Sequence, residues 1–492
     1  MWRRKRPATR LAEIQQLYRK YASGQMTLPA ISLLSFLHKE QMELTANEGM
    51  VENLIDRYEI EETARDNRSM TFEGFLRYME SKHCCVFNQA HTSVYQDMDQ
   101  PLTSYFISSS HNTYLTGDQL VGKSDLDAYI CALRKGCRCL EIDCWDGQNM
   151  EPVVYHGYTL TTKLRFKDVI STVEQHAFEV SAYPVILSLE NHCSQQQQEV
   201  MARHLISILG DKLLKEPLGN PNTAALPSPN KKKKVAVADT LSNLAIYTTS
   251  VKFISFSHSK DNQNDCEITS MEENKARELV KASGANFVQH NHRFLTRVYP
   301  AGARIFSSNY NPQEFWNVGS QLVALNFQSL GLPMDLYDGR FQDNGGCGYV
   351  LKPDVLTSTQ RRFDPGCIQP RQRHTHLLLK VISGSNLPSP RTTKALDLFV
   401  RVEIHGIASD CRRKSTHSVK NNSLNPYWDA VMNFSINIPE LCLVQFCVRD
   451  QTGRFSSESV CQYTLPFMSL KKGEPQRQKE VPAGLKRYSA LL

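Results

Sequence analysis

No apolar run in the 492-residue chain approaches the ~18 residues needed to cross a bilayer as a helix. The expectation is a protein without a membrane-spanning segment. A secretory leader is missing too: Met1 to Pro7 is strongly basic and runs straight into a polar, periodic stretch. Cysteine is sparse and scattered. The 14 cysteines contain no C-x-x-C pair, and they fall well under the ~8–10% of a disulfide scaffold. Free thiols in a reducing cytosol are expected. An excess of either charge is also lacking. Lys plus Arg is 57 and Asp plus Glu is 50, a net +7. That balance favours anionic surfaces without singling out nucleic acid, and no basic stripe carries interleaved aromatics. With 41% apolar and 22% charged residues, a disordered chain is excluded.

What is present falls into blocks, and the length fits about three domains. Residues 1–90 read as helices. Leu11, Ile14, Leu17, Tyr18 and Tyr21 recur at helical spacing. So do Val51, Leu54, Ile55 and Tyr58, then Phe72, Phe75, Leu76 and Met79, with Thr71 as a helix start. Nothing there supplies the D-x-[DN]-x-[DN]-G-x5-E pattern of a helix–loop–helix calcium site, so an EF-hand-like lobe without calcium is expected.

Residues 97–215 change to short β-rich runs alternating with longer helical stretches. The runs are Tyr105–Ser108, Cys137–Asp143, Val153–Tyr155 and Val185–Glu190. This alternation predicts βα units and a parallel sheet. Residues 216–238, rich in proline and carrying Lys231, Lys232, Lys233 and Lys234, read as a shortened basic linker. Over 239–355 strands are expected at Leu244–Tyr247, Phe287–His290, Ala303–Phe306 and Leu322–Phe327, with a helix at Glu272–Lys281. From His374 to 492 short strands bounded by turn residues predict a β-sandwich. The fold class is therefore multidomain: a helical lobe, an α/β barrel in two halves and an all-β sandwich.

Strand ends in the middle region finish on chemically capable residues. They are His111-Asn112, Glu141 with Asp143, His156, and Glu190. Active sites of βα barrels gather at the carboxyl ends of several strands. Glu141 and Asp143 are two apart, so one strand points both carboxylates the same way. Asn112, Glu141, Asp143 and Glu190 are oxygen ligands, suited to Ca²⁺ or Mg²⁺ rather than Zn²⁺. The histidines are left for proton transfer or charge stabilisation. Any one of these residues alone would more often be a cap or a salt bridge. Their recurrence on successive strand ends favours a site.

Four strings carry a resemblance. Ser108 to Leu115 (SSSHNTYL), Gly136 to Gly147 (GCRCLEIDCWDG), Val154 to Tyr158 (VYHGY) and Leu187 to His192 (LSLENH) resemble the X box of phosphoinositide-specific phospholipase C. Arg297 to Pro300, Ser307 to Tyr310 and Asp343 to Pro353 resemble its Y box. The resemblance implies an EF-hand-like lobe at 1–90, an X half at 97–215, a linker at 216–238, a Y half at 239–355 and a C2 domain at 374–492. It assigns Ca²⁺ to Asn112, Glu141, Asp143 and Glu190, with His111 as transition-state stabiliser. His156 becomes general acid and Glu141 general base. Ser270, Arg297 and Tyr299 would hold ring phosphates, and Lys231 to Lys234 are the candidates to replace lysines on a strand the sequence lacks. Leu120, Tyr158 and Leu160 would form a rim that enters the membrane. Phrases at Asn311 to Trp316 and Val419 to Asn422, with no room for a pleckstrin-homology domain before the lobe, resemble the zeta type first and the delta type second.

The implied activity is calcium-dependent hydrolysis of phosphatidylinositol 4,5-bisphosphate, feeding calcium release and, for a zeta type, egg activation. The implied protein is a cytosolic monomer, peripheral on anionic membranes, with a nuclear or perinuclear address for a zeta type and no nucleic-acid partner. Three departures from the family set further expectations. Leu226 to Asn230 leads directly into the lysine run, so a barrel strand is missing, and a binding-only protein is the alternative reading. Arg277 and Ala303 stand where delta enzymes carry Leu and Trp, which predicts weaker insertion. The carboxyl end stops short of a last sandwich strand, predicting an unpaired edge, and Asp397 and Asp450 lack the partners of a calcium cup. Arg412, Arg413, Lys414 and Lys420 instead form a basic face.

Overall fold

The computed structural model describes residues 8–215, 239–367, 374–471 and 485–487, apart from 42, 44, 45, 246, 247, 359, 361, 385, 386, 389–394 and 424. The linker 216–238, with Lys231 to Lys234, lies outside the described residues. Contacts divide the chain into two units: Met1–His91 with Gln369–Leu492, and Thr92–Ile368.

In the first unit the helices Ala8–Ala22, Ala30–Lys39, Glu48–Tyr58 and Phe72–Met79 pack a core of Tyr18, Leu33, Phe36, Ile55, Phe75 and Leu76. Asn47 caps the third through Met50 N and Thr71 the fourth through Gly74 N, as the sequence predicts for Thr71. Glu59 is buried and accepts from the backbone of Ile60, Glu61 and Thr71. Its oxygens are occupied by the loop itself.

The rest of this unit is a two-sheet sandwich. One sheet holds Thr375–Ser383, Tyr427–Ile436 and Leu485–Arg487, and the other Leu398–His405, Arg412–Ser415, Leu443–Asp450 and Glu458–Pro466. Alternate residues point inward, among them Leu377, Leu379, Val400, Val402, Phe434, Ile436, Val444 and Phe446. The expected unpaired edge is corrected here, because Leu485–Arg487 runs parallel along His376–Leu378. Asp397 Oδ1 accepts from Asn421 N, and Asp450 Oδ1 from Asp397 N. Arg412–Ser415 is an edge strand exposed along its length.

The second unit is a curled sheet. Its strands are β1 (Ser109–Ser110), β2 (Cys139–Trp145), β3 (Val153–Val154), β4 (Leu164–Arg165), β5 (Ile186–Asn191), β6 (Thr249–Val251), β7 (Glu267–Glu272), β8 (Leu295–Tyr299) and β9 (Leu322–Leu325). Seven run parallel in the order β5-β2-β1-β9-β8-β7-β6, while β3 and β4 extend from β2 as an antiparallel flap. Helices Leu126–Arg134, Phe166–His176, Gln195–Leu209, Glu273–Arg293 and Leu332–Phe341 connect them. The period of two is visible in β2. Leu140, Ile142 and Cys144 enter the core with Phe166, Val169, Val173 and Met201, while Cys139, Glu141 and Asp143 face the interior. Tyr105, Ile107, Cys139, Leu295, Leu322 and Tyr349 pack as one cluster below the site.

Among the described residues no strand joins β5 to β6. Residues 216–238, which link β5 to β6, lie outside the described residues, and the described sheet ends at β5 on one side and β6 on the other. Strand β5 is only half-buried, whereas β2 is buried almost throughout.

Four expectations are corrected. Phe287–His290 is not a strand: it belongs to the helix Glu273–Arg293, which kinks at Ser283 (φ −157°, ψ 49°) and then resumes. Four residues with Phe287 and Val288 as the apolar pair cannot distinguish a strand from a buried helix turn. Ala303–Phe306 is a turn, closed by Ser307 N on Arg304 O. The strand placed at Leu244–Tyr247 lies instead at Thr249–Val251, with 246 and 247 outside the described residues. His156 follows the antiparallel flap strand β3, not a parallel barrel strand.

Candidate active site

The carboxyl ends of the strands surround a cavity of about 600 Å³. It is lined by His111, Asn112, Glu141, Asp143, His156, Glu190, Ser270, Arg297 and Tyr299. Strand register explains the convergence. Asp143 pairs with Glu190 across β2 and β5, and Ser270 with Arg297 across β7 and β8. One oxygen each from Glu141, Asp143 and Glu190 lies within 4.8 Å of the other two.

Each group is held by identifiable bonds. Asn112 adopts φ +41°, which turns its N–H onto Glu141 Oε2 at 2.8 Å. A non-glycine residue at positive φ is strained, and such strain gathers at functional sites. Its side-chain amide donates to Gln119 Oε1 at 2.7 Å. Asp143 Oδ2 accepts from Tyr114 Oη at 2.6 Å, while among the described residues its buried Oδ1 has no partner. Burial first, then Glu141 and Glu190, push the Asp143 carboxyl well above its usual range. Three crowded carboxylates with an orphaned buried oxygen suit a positive charge. The donor set, all oxygen, fits a hard divalent cation.

Arg297 supplies part of that charge. Its Nη2 lies 2.7 Å from Glu141 Oε1 in a buried ion pair, and among the described residues its Nε has no partner. Nη1 reaches Ser270 Oγ at 3.4 Å, and the guanidinium lies over Tyr299. Burial raises the Glu141 carboxyl, but Arg297 and then His111 outweigh it and hold the group below its usual range.

The two histidines are oriented differently. His111 Nδ1 donates to Asn326 Oδ1 at 2.9 Å, which leaves Nε2 facing Glu141 Oε2 at 3.9 Å. Its ring lies parallel to Tyr299 with centroids 6.4 Å apart. Burial depresses its imidazolium, Glu141 favours it and Arg297 opposes it, and the net shift is downward. His156 Nδ1 donates to the Gln119 carbonyl at 2.6 Å, so Nε2 is the free ring atom.

The cavity mouth carries exposed apolar residues. Leu120, Tyr158 and Leu160 are 47%, 97% and 82% exposed. Leu160 N donates to Leu120 O, and Gln119 N to Ile305 O, so three loops are tied together. The second of these ties brings in Ile305 and Phe306, the latter 81% exposed. Sequence reasoning weighed Ala303 and missed them, having read this turn as a strand. It also missed Gln119, Tyr114 and Asn326. Asn326 follows β9 directly, so the strand-end rule could have found it; Gln119 carries no such signal. Arg277 is not loose: it binds Glu273 at 3.1 Å and Glu314 at 2.8 Å.

Comparison with known proteins decides the family. Residues 98–239 match the model of the phosphatidylinositol-specific phospholipase C X domain, and 241–355 that of the Y domain. Residues 6–89 match the EF-hand-like region of phosphoinositide-specific phospholipase C, and 375–480 a C2 domain. Human 1-phosphatidylinositol 4,5-bisphosphate phosphodiesterase delta-4 is 43% identical over 94% of this chain and 69% of its own length. The chain belongs to the phosphoinositide-specific phospholipase C family. A mouse phospholipase of this family, named delta-3, is 44% identical over 94% of this chain and 65% of its own length. Among solved structures, PLC21 of S. officinalis superposes with a TM-score of 0.82 at 32% identity, over 94% of this chain and 65% of that one. This phospholipase is thus an enzyme by family, with the lobe, barrel and C2 modules of its relatives. Among its described residues no helix is long and apolar enough to cross a membrane.

Proposed function

We propose that this cavity hydrolyses phosphatidylinositol 4,5-bisphosphate to inositol 1,4,5-trisphosphate and diacylglycerol, and that it does so with calcium. The observation that carries the reading is the orphaned Asp143 Oδ1 between Glu141 and Glu190, in the cavity that also holds Arg297 and two histidines. Asn112, Glu141, Asp143 and Glu190 would hold the ion. When bound it lowers the pKa of the inositol 2-hydroxyl and stabilises charge on phosphorus.

The residues perform the remaining work. Glu141 takes the proton of the 2-hydroxyl, whose oxygen attacks the neighbouring phosphorus. Ring phosphates draw Arg297 away from Glu141, because a guanidinium binds a phosphate with two parallel hydrogen bonds. Losing that partner raises the basicity of the carboxylate. Ser270 and Tyr299 complete the ring pocket. His111, made an imidazolium by the negative charge of the bound phosphate, donates from Nε2 to the equatorial phosphoryl oxygens as charge grows there. His156 gives its Nε2 proton to the glycerol oxygen as the phosphorus–oxygen bond breaks. The cyclic phosphate is then opened by water, with His156 as base and Glu141 returning the proton.

The exposed rim of Leu120, Tyr158, Leu160 and Phe306 brings the cavity mouth to an anionic membrane, so the enzyme works as a peripheral protein. A zeta-type assignment, and with it a nuclear or perinuclear address and a role in egg activation, rests on Asn311 to Trp316 and Val419 to Asn422. The relatives named above are delta-type. Injection into eggs tests that narrower reading: absence of calcium oscillations at levels that release inositol trisphosphate in vitro refutes it.

The enzymatic reading is tested with labelled bisphosphate lipid in vesicles at micromolar free calcium. Release of inositol trisphosphate at least 100-fold above a His111→Ala control is expected. Release equal to that control refutes it and leaves a protein that binds the lipid without turning it over.

A further inference from the structure

The three carboxylates of the cation cluster are not equally fixed. Glu141 and Asp143 are 4% exposed, and each is held by neighbours on buried elements. Glu190 sits on β5, where the described sheet ends, with its side chain 57% exposed. Among the described residues its carboxylate has one recorded hydrogen bond, from His192 Nε2 to Oε1 at 3.1 Å. A carboxylate only accepts, so Nε2 carries the proton.

His192 is itself immobilised. Its backbone N–H donates to Cys144 O at 2.8 Å. Its ring stacks on Trp145 with centroids 4.0 Å apart and planes 15° from parallel. Trp145 is fixed in turn: Tyr158 meets it edge-on at 5.2 Å. Gly157 leaves no space beside it, since a Cβ there would lie 1.8 Å from the indole.

We propose that His192, clamped on Trp145, is a positioning residue that holds Glu190 on the cation centre. The inference rests on the calcium reading of the cluster given above. A half-exposed glutamate samples several rotamers, and a cation that recruits it must first order it. A hydrogen bond from a stacked, immobile ring orders it beforehand. Outer partners of this kind commonly change metal affinity by 10–100-fold.

The test is calcium titration of the purified full chain by calorimetry. Glu190→Gln identifies which binding component belongs to the barrel. His192→Ala should weaken that component at least tenfold, and His192→Gln, which keeps an N–H donor, should recover most of the loss. In the Glu190→Gln background His192→Ala should change the residual affinity less than twofold, because the group it positions is gone. A purely structural histidine would weaken binding in both backgrounds, and that result overturns the proposal. So does a loss below threefold in His192→Ala, or an equal loss in His192→Gln. No binding component that Glu190→Gln removes would overturn the cation reading itself, and the clamp with it.

Discussion

At the scale of single residues, the site is a set of charges arranged against their own solvation. Asp143 is buried beside two other acids, and Arg297 is buried with an unpartnered Nε. The crowded acids suit a cation, and Arg297, already paired with Glu141 through Nη2, keeps an Nε–H for a further acceptor. These residues were legible in the sequence because they lie in long, specific strings and because β2 imposes a period of two on Glu141 and Asp143. Gln119 and Phe306 were not, since each owes its place to a loop–loop hydrogen bond that no local pattern encodes. Phe306 gives a direct prediction. Transferring most of its side chain into a bilayer contributes about 1.5 kcal/mol, so Phe306→Ser should weaken binding to anionic vesicles roughly tenfold. Co-sedimentation measures this. Unchanged binding would remove Phe306 from the rim.

At the scale of elements, the misread stretches share a cause. β7 and β8 were not anticipated as strands because their inward positions carry Ser270, Arg297 and Tyr299, which interrupt the apolar alternation. Function at a strand end degrades the pattern by which a strand is recognised. The helix Glu273–Arg293 was cut at Lys281 because Ser283-Gly284 marks a real kink, after which the helix resumes. Its second half buries His290 against Phe253, Phe256, Phe287 and Phe294. Burial lowers this imidazole from the usual 6.5 to about 4. The charged form is disfavoured in the fold, so the unfolded chain binds the proton first. His290 therefore contributes its full stability above pH 6.5 and loses it as pH falls toward 4. The loss should reach about 2 kcal/mol by pH 5. Thermal midpoints of the wild type should drop more between pH 7.5 and 5 than those of His290→Phe; parallel drops would contradict the assignment.

At the scale of the whole molecule, the question is whether the sheet can hold a catalytic constellation. The groups named above stand on β1, β2, β5, β7 and β8 and on the flap, and the described sheet ends at β5 and β6, at the rim of that set. These ends have a measurable consequence. Amide exchange along Ile186–Asn191 should be faster than along Cys139–Trp145, which pairs with β5 and, at its two ends, with β1 and β3. Equal protection would mean that something covers the edge.

The central claim is that this cavity turns substrate over rather than merely binding it. The most direct measurement is the initial rate of inositol trisphosphate release from bisphosphate vesicles as free calcium is raised, removed with chelator and restored in one preparation. A saturable rise, loss on chelation and full recovery are expected. Vesicle binding with no release at any calcium concentration would contradict it.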